Sequence, residues 1–259
     1  MEAESCREYY IEGRSAAPVA GSGGCALPLQ ERCHKVETKQ LVTKTCSVTA
    51  ILFDFGGVIA EEGFREGLTA IAREHGLRPA AFVRVGFELV YGVGYVLGRS
   101  DEKAFWKAMR DRTGIQAPDE ALRAHILSHF TLRPWMLEIL PQLRDSGTRL
   151  ALLSDQTNWL DELDEDLHFF RWFDHVFNSY HLGKSKKNPS LFDDVLKVMH
   201  LQAGQALFVD DHGLHIERAR QRGLNTILYQ DRRSFMRALA VFCPFLQAAD
   251  AHTRHEESE

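Results

Sequence analysis

The sequence has 259 residues, of which 44% are hydrophobic and 26% charged, and its formal net charge is −5 at pH 7. This length suits one large domain or a core with one inserted lobe, and the composition is that of a globular chain. The negative charge and the scattered basic residues argue against nucleic-acid or anionic-membrane partners. No apolar run of about 18 residues predicts a membrane span.

The N-terminal region is the least structured part of the sequence. Residues 1–46 show no hydrophobic periodicity and contain SAAPVAGSGG, so we predict a disordered extension. It lacks the apolar segment of a secretory signal. The five cysteines include no C-x-x-C pair, which argues against zinc and thioredoxin-like sites. We therefore expect a reduced, cytoplasmic protein. Residues 249–259 are polar and are predicted to be a frayed tail.

The first predicted strand lies in VTAILFDF, a continuous apolar run typical of a strand buried on both faces. A long helical region follows at residues 64–130. Within it, FREGLTAIAREHGL has Gly76 as a C-cap, and SDEKAFWKAM has Ser100 as an N-cap. FELVYGVGYVL is ambiguous between helix and strand. This region contains no convincing strand.

From Pro134 onward, helices and strands alternate. The predicted strands are TRLALLSD, HVFNSYHLG, QALFVDD and NTILY. The predicted helices are PWMLEILPQLRDSG, which ends at Gly147, NPSLFDDVLKVMHL, which has Asn188 as its N-cap, LHIERARQRG and residues 233–248. This alternation predicts an α/β fold with a doubly wound parallel sheet and helices on both faces.

Polar residues stand where three of the predicted strands end. Asp54 follows the first strand, Ser154 and Asp155 follow the second, and Asp210 and Asp211 follow the fourth. In sheets of this kind the site lies beyond the carboxyl ends of the strands. Carboxylates that converge there repel one another unless a cation lies among them. Oxygen ligands favour Mg²⁺, so the sequence predicts a magnesium site.

The same residues suit phosphoryl transfer. An aspartate such as Asp54 can attack phosphorus and form an aspartyl-phosphate. The hydroxyl of Ser154 and the ammonium of Lys186 would hold the phosphoryl oxygens and offset their charge. Gly56 and Gly57 would let the backbone approach the ion and the substrate closely.

Four motifs, in order, resemble those of the haloacid dehalogenase-like (HAD) hydrolase superfamily: FDFGGV, LALLSD, GKSKKNPSLF and LFVDD. A fifth stretch, GRSDEKAFW, resembles a motif of the family's cap. The resemblance spans residues 48–245 and implies a phosphatase of the subfamily IA type. It also implies a Rossmannoid α/β core formed by residues 47–63 and 131–248, with an inserted α-helical cap at residues 64–130.

The resemblance assigns the metal ligands and the nucleophile. Asp54 would be both the nucleophile and a metal ligand, and Gly56 would provide a ligand through its backbone carbonyl. Asp211 would be the principal acidic ligand of the fourth motif. Asp210 would be an orienting or water-mediated partner of the metal.

The resemblance also assigns the phosphate contacts. Ser154 and Lys186 would bind phosphate. Apart from the resemblance, Asp155 is a candidate phosphate contact, with a local hydrogen-bonding role as the alternative. Lys186 would also stabilise the ionised form of Asp54. Lys184 is the alternative lysine, but the spacing from Lys186 to the end of the motif fits the family pattern better.

Position 56 departs from the family pattern. Most phosphatases of the family have an aspartate there, which protonates the leaving group, whereas this chain has Gly56. Leaving-group protonation contributes roughly 10²–10⁴-fold to the rate, so turnover would be reduced. Glu61 and Glu62 are two candidates for a substitute.

The function predicted from these motifs is that of a Mg²⁺-dependent phosphatase, which acts on a small phosphorylated metabolite through an aspartyl-phosphate. One alternative is a catalytically weak HAD-like domain that binds a phosphorylated ligand or partner. A less favoured alternative is a 2-haloacid dehalogenase. The Asp210–Asp211 pair argues against the dehalogenase, because it would repel the carboxylate of the substrate.

Overall fold

The computed structural model describes residues 44–246. Its five strands form one parallel sheet in the order β3-β2-β1-β4-β5. The strands are β1 (Ala50–Phe53), β2 (Arg149–Ser154), β3 (His175–Asn178), β4 (Ala206–Asp210) and β5 (Asn225–Leu228). The predicted parallel α/β fold is therefore confirmed. Most of the predicted N-terminal extension (1–43) and the whole predicted tail lie outside the described residues.

Ten α-helices accompany the sheet in the described part of the chain. They are α1 (Gly63–Glu74), α2 (Pro79–Gly92), α3 (Glu102–Thr113), α4 (Asp119–Leu127), α5 (Pro134–Asp145), α6 (Trp159–Leu167), α7 (Ser179–Leu182), α8 (Ser190–Val198), α9 (Gly213–Gln221) and α10 (Arg232–Phe242).

The sheet is covered on both faces because successive side chains of a strand point to opposite sides. In β1, Ile51 and Phe53 pack into a large apolar cluster with α5, α6 and α10. Ala50 and Leu52 pack into a second cluster with α8 and α9. All four residues are fully buried, which explains the uninterrupted apolar run in the sequence.

The chain leaves and re-enters the core through two paired segments. Ala60 and Leu132 form an antiparallel bridge, and the N–H of Glu61 donates to the carbonyl of Thr131 at 2.8 Å. Helices α1–α4 lie between these segments and occupy most of residues 64–130; the division into a core and a separate cap stays a prediction. Their apolar side chains join the larger core cluster, so the insertion packs against the core instead of extending away from it.

Four local predictions need correction. The N-cap of α3 is Asp101 and not Ser100, because the Asp101 side chain accepts a hydrogen bond from the N–H of Ala104. The stretch HVFNSYHLG is a strand only up to Asn178, whose side chain caps the short helix α7. The N-cap of α8 is Pro189 and not Asn188, whose side chain accepts hydrogen bonds from the N–H and the hydroxyl of Ser190. The segment FELVYGVGYVL, ambiguous in the sequence, is helical up to Gly92.

A disulfide joins the two ends of the described chain. Cys46, just before β1, is bonded to Cys243, just after α10, across a sequence separation of 197 residues. The expectation of reduced cysteines is therefore wrong for this pair, and residues 44–46, predicted to be part of a disordered extension, belong to the described chain. Only the tertiary fold brings these two distant cysteines together. In residues 44–246, no helix is long and apolar enough to cross a membrane.

Candidate active site

The site begins where β1 ends. The strand register places Phe53 opposite Leu152 of β2 and Val209 of β4, so the residues that follow all three strands meet at one sheet edge. Asp54 is the first residue after β1, and its side chain is nearly buried. Its Oδ1 accepts hydrogen bonds from the N–H of Phe55 at 2.7 Å and from the hydroxyl of Ser154 at 3.0 Å.

Lys186 reaches the same point from the loop that precedes α8. Its Nζ lies 2.6 Å from Oδ2 of Asp54 and 2.7 Å from Oδ2 of Asp210. Only 1% of its side chain is exposed, so the ammonium has exchanged water for these two carboxylates. The alternative lysine, Lys184, instead pairs with Asp194 on α8. The structure therefore places Lys186, and not Lys184, at the sheet edge.

The two consecutive aspartates after β4 have different environments. Asp210 is fully buried; its Oδ1 accepts from the N–H of His212 at 2.7 Å, and its Oδ2 contacts Lys186 and lies 3.2 Å from Nδ1 of His215. Asp211 is exposed and lines the cavity next to Asp54. Asp210 is thus held inside the protein, whereas Asp211 faces the space that a ligand would enter.

Gly57 is the position where a side chain is sterically excluded. Its φ of +82° is in the left-handed region that favours glycine. A Cβ atom at Gly57 would also lie 2.3 Å from Oδ2 of Asp211. The glycine therefore lets the turn after β1 pass directly under the Asp211 carboxylate.

The ionisable groups of the site have pKa values that differ from their ordinary ones. Burial raises the pKa of Asp54 well above its usual range despite the opposing effect of Lys186. Although Asp211 is an exposed residue, its carboxyl group packs against Gly57, and this desolvation, followed by the charge of Asp210, raises the pKa of Asp211. Burial opposes the ionisation of Asp210, but Lys186 and His215 hold the pKa of Asp210 below its ordinary value. Burial would lower the pKa of Lys186, yet its two aspartate partners raise it, so the ammonium stays charged.

These three carboxylates suit a divalent cation. They share one buried ammonium, and a cation beside them would favour the ionised forms of Asp54 and Asp211. Side-chain atoms of Asp54, Asp210 and His215 that could bind a metal lie within 4.8 Å of one another. Oxygen-rich groups of this kind fit Mg²⁺. The predicted carbonyl ligand, Gly56, lines the same cavity.

A cavity of about 150 Å³ opens above these residues, between the core and the inserted helices. Glu62, the residue before α1, lines it. Its Oε2 lies 3.2 Å from the position that a Cβ atom on Gly56 would occupy. Burial, reinforced by the charge of Asp211, raises the pKa of Glu62 to about 7. A carboxyl group from a neighbouring turn thus lies where the side chain of residue 56 would begin.

The other candidate, Glu61, is directed elsewhere. Its two carboxylate oxygens pair with the guanidinium of Arg133, at 3.0 Å and 2.7 Å. The side chain is more than half exposed. Glu61 therefore has a surface partner, and of the two adjacent glutamates only Glu62 lines the cavity above Asp54.

Asp155 joins the inserted helices to the core. Its Oδ1 accepts from the N–H of Lys186 at 2.8 Å, and its Oδ2 accepts from the hydroxyl of Tyr91 on α2 at 2.9 Å. Burial and the charge of Asp155 raise the pKa of Tyr91, so the phenol remains a donor. Both oxygens of Asp155 have protein donors, which indicates a positioning role. Its contact with phosphate stays a prediction.

Sequence reasoning missed His215 and Tyr91. His215 lies in the first turn of α9, five residues after Asp210, so that the helix turns it back toward the aspartate. This spacing after the acidic pair was a usable signal. Tyr91 lies in the segment that was ambiguous between helix and strand, and its position depends on how α2 packs over the sheet edge.

Comparison with known proteins identifies the family. The model of the haloacid dehalogenase-like hydrolases matches residues 48–223, which is more than half of the chain. The chain belongs to this family. The sequence motifs that resembled the HAD superfamily therefore identified it correctly, and the chain is a HAD-like hydrolase.

Curated relatives match only part of this HAD-like chain. The bifunctional epoxide hydrolase 2 of Rattus norvegicus is 29% identical over 111 residues, and that of Sus scrofa is 26% identical over 138 residues. These matches include 40% and 49% of this chain but only 20% and 24% of the two relatives. The chain thus spans at most about a quarter of their length.

Solved structures share the fold at low sequence identity. A HAD family enzyme of Bacteroides thetaiotaomicron, in complex with magnesium and inorganic phosphate, has a TM-score of 0.58 at 19% identity, covering 71% of this chain and 94% of that one. The L-2-haloacid dehalogenase of Xanthobacter autotrophicus, with chloropropionic acid covalently bound, has a TM-score of 0.55 at 17% identity, covering 77% and 86%. The same fold therefore occurs in a protein that binds magnesium and inorganic phosphate and in a dehalogenase that binds chloropropionic acid covalently.

Proposed function

We propose that this HAD-like hydrolase is a Mg²⁺-dependent phosphatase of small phosphorylated metabolites. The observation that supports this most directly is the contact of Lys186 with both Asp54 and Asp210 in a cavity that Ser154 also lines. These groups form a nucleophile with cationic and hydroxyl donors beside it, as phosphoryl transfer requires. The complex of the Bacteroides enzyme with magnesium and phosphate is consistent with this chemistry in the family.

The first half of the reaction forms the aspartyl-phosphate. An oxygen of the Asp54 carboxylate attacks phosphorus, and the bond from phosphorus to the ester oxygen breaks. Lys186 and Ser154 donate hydrogen bonds to the phosphoryl oxygens as their charge develops. Asp54, Asp211 and the carbonyl of Gly56 would hold Mg²⁺, with Asp210 as an orienting or water-mediated partner. When bound, the ion neutralises the charge of the phosphoryl group.

Glu62 would supply the proton that position 56 cannot. The protonated Glu62 carboxyl donates to the ester oxygen as it leaves, and the alcohol departs neutral. In the second half, water attacks the aspartyl-phosphate and its protons stay with the departing phosphate, while Glu62 is reprotonated from solvent. The bond from phosphorus to the Asp54 oxygen breaks, and phosphate is released while both carboxyl groups return to their starting states.

The direct test is a panel of phosphate esters with purified protein and Mg²⁺. We expect phosphate release that the Asp54→Asn variant abolishes and that a chelator of divalent cations suppresses. Circular dichroism of the variant checks that it remains folded. Equal phosphate release by the wild type and Asp54→Asn would refute the assignment of Asp54 and the phosphatase proposal with it.

A haloacid dehalogenase is the second candidate, because the Xanthobacter dehalogenase shares the fold and position 56 has no carboxylate. In that reaction Asp54 would attack carbon and displace halide. The acidic pair after β4 disfavours it, since a carboxylate-bearing substrate would be repelled. Chelator-resistant halide release from 2-chloropropionate, with no release of phosphate from esters, would favour this candidate over the phosphatase.

A further inference from the structure

A second groove adjoins the catalytic cavity. It has a volume of about 680 Å³ and runs between the inserted helices α1 and α2, helix α9 and the loop that holds Lys186. Five residues line both the groove and the cavity: Arg65, Phe87, Tyr91, His212 and His215. Because these shared residues form the junction, a molecule with its phosphate at Asp54 could extend directly into the groove.

The groove has a strongly one-sided charge. Its lining includes four basic side chains, and among the described residues no carboxylate lines it. The four are Arg65, Arg84, Lys187 and Arg218. Arg84 has a partner, Glu88, at 3.8 Å. In residues 44–246, the other three have no carboxylate oxygen within ion-pair distance. Elsewhere on this surface, arginines and lysines commonly pair with acids.

Two of the cations lie over aromatic rings at the junction. The guanidinium of Arg65 lies 5.0 Å from the ring centre of Phe87, and Nζ of Lys187 lies 3.1 Å from that of Tyr91. A cation over a ring keeps its hydrogen-bond donors available for another partner. Burial lowers the pKa of Lys187; the charge of Asp155 opposes this shift, and the like charge of Arg218 adds to it.

We infer that this groove binds a second anionic group of the substrate, so that the preferred substrates are phosphomonoesters whose leaving group has its own carboxylate or phosphate. This inference rests on the proposed phosphatase function. The phosphoryl group would lie at Asp54, the linking atoms would cross the aromatic junction, and the distal anion would meet Lys187 and Arg218. Unpaired cations that face a concave surface are the arrangement that recognises such anions.

The test compares phosphate esters that differ only at the far end of the leaving group. Butyl phosphate, the phosphate ester of 4-hydroxybutanoate and the bisphosphate of butanediol share the same reacting bond and the same chain. We expect kcat/KM to be about tenfold higher for an ester with an anionic end, since several exposed charge pairs act together. Added salt should reduce this preference. The better of the two anionic ends identifies the distal group as carboxylate or phosphate.

Substitutions test whether the groove causes the preference for anionic esters. Arg218→Ala should reduce the preference for the anionic esters severalfold and leave butyl phosphate unchanged. The matched control is Arg220→Ala, on the same helix, because Arg220 is exposed and paired with Glu217 outside the groove. Equal kcat/KM for all three esters, or an equal loss for all three in Arg218→Ala, would overturn the inference.

A binding measurement separates this inference from the proposed function. Butane bisphosphonate and butylphosphonate cannot be hydrolysed, and calorimetry in the presence of Mg²⁺ gives their affinities. We expect the bisphosphonate to bind about tenfold more tightly, and Arg218→Ala to remove the difference. If no ester is hydrolysed but this difference is found, the groove inference stands and the phosphatase proposal fails. If the two phosphonates bind equally, the groove inference fails, whatever the activity.

Discussion

The proton donor is the part of the site that a single substitution tests most sharply. Oε2 of Glu62 lies 3.2 Å from the Cβ position of Gly56, and burial raises the pKa of Glu62 to about 7. Glu62→Gln keeps the size and shape of the side chain but removes the transferable proton. We therefore expect this variant to bind substrate normally and to fail at the protonation of the leaving group.

The size of the effect depends on the leaving group. General acid catalysis contributes about 10²–10⁴-fold, which is about 3–5 kcal/mol of the barrier. An alkoxide is a poor leaving group, so hydrolysis of butyl phosphate by Glu62→Gln should slow by about this factor. Nitrophenolate leaves without a proton, so hydrolysis of p-nitrophenyl phosphate should be nearly unchanged. The ratio of the two kcat values is the measured quantity.

The pH profile provides a second readout. The proposed role requires the protonated form of Glu62, so the wild-type rate on butyl phosphate should fall as the pH rises through about 7. Below that pH the carboxyl group is protonated, and the rate no longer depends on its ionisation. This fall in rate with rising pH should be absent in Glu62→Gln, and it should also be absent when the wild type hydrolyses p-nitrophenyl phosphate.

Glu61→Gln is the matched control, because Glu61 is the adjacent glutamate but pairs with Arg133 at the surface. A double variant tests whether a carboxyl group at position 56 restores the activity. In Gly56→Asp/Glu62→Ala the new aspartate enters the space that Glu62 vacates, and it should restore part of the butyl phosphate activity. If Glu62→Gln slows both esters equally, or neither, then Glu62 is not the proton donor.

Three further predictions concern the framework of the site. Lys186→Met should lower the free energy of unfolding by about 3–5 kcal/mol in a urea titration, because two buried carboxylates lose their counter-charge. Gly57→Ala should weaken Mg²⁺ binding in calorimetry, since the new Cβ would displace the carboxylate of Asp211; unchanged affinity would contradict this. Cys243→Ser should lower stability by about 2–5 kcal/mol through loss of the bond to Cys46, and added reductant should have no further effect on this variant.

The predicted fold followed from local patterns. All five strands were predicted, and the continuous apolar runs belong to the three central strands, β1, β2 and β4, because a strand in the middle of a parallel sheet is buried on both faces. The residues that follow these runs predicted which side chains would meet, because parallel strands end at one edge. The sequence prediction was wrong where only local geometry distinguishes two neighbouring residues. At the N-cap of α3, for example, the side chain of Asp101, and not that of Ser100, accepts the capping hydrogen bond.

The sequence by itself determined the family, the α/β core and the set of polar residues at the sheet edge, since those depend on short-range patterns and fixed strand geometry. The tertiary structure decided which of two neighbouring glutamates lines the cavity, how His215 and Tyr91 support the aspartates, and that Cys46 meets Cys243. These facts depend on how segments far apart in the chain pack together. A hydrophobic pattern specifies which face of a segment is buried, but the side chains of its distant neighbours decide what that face touches.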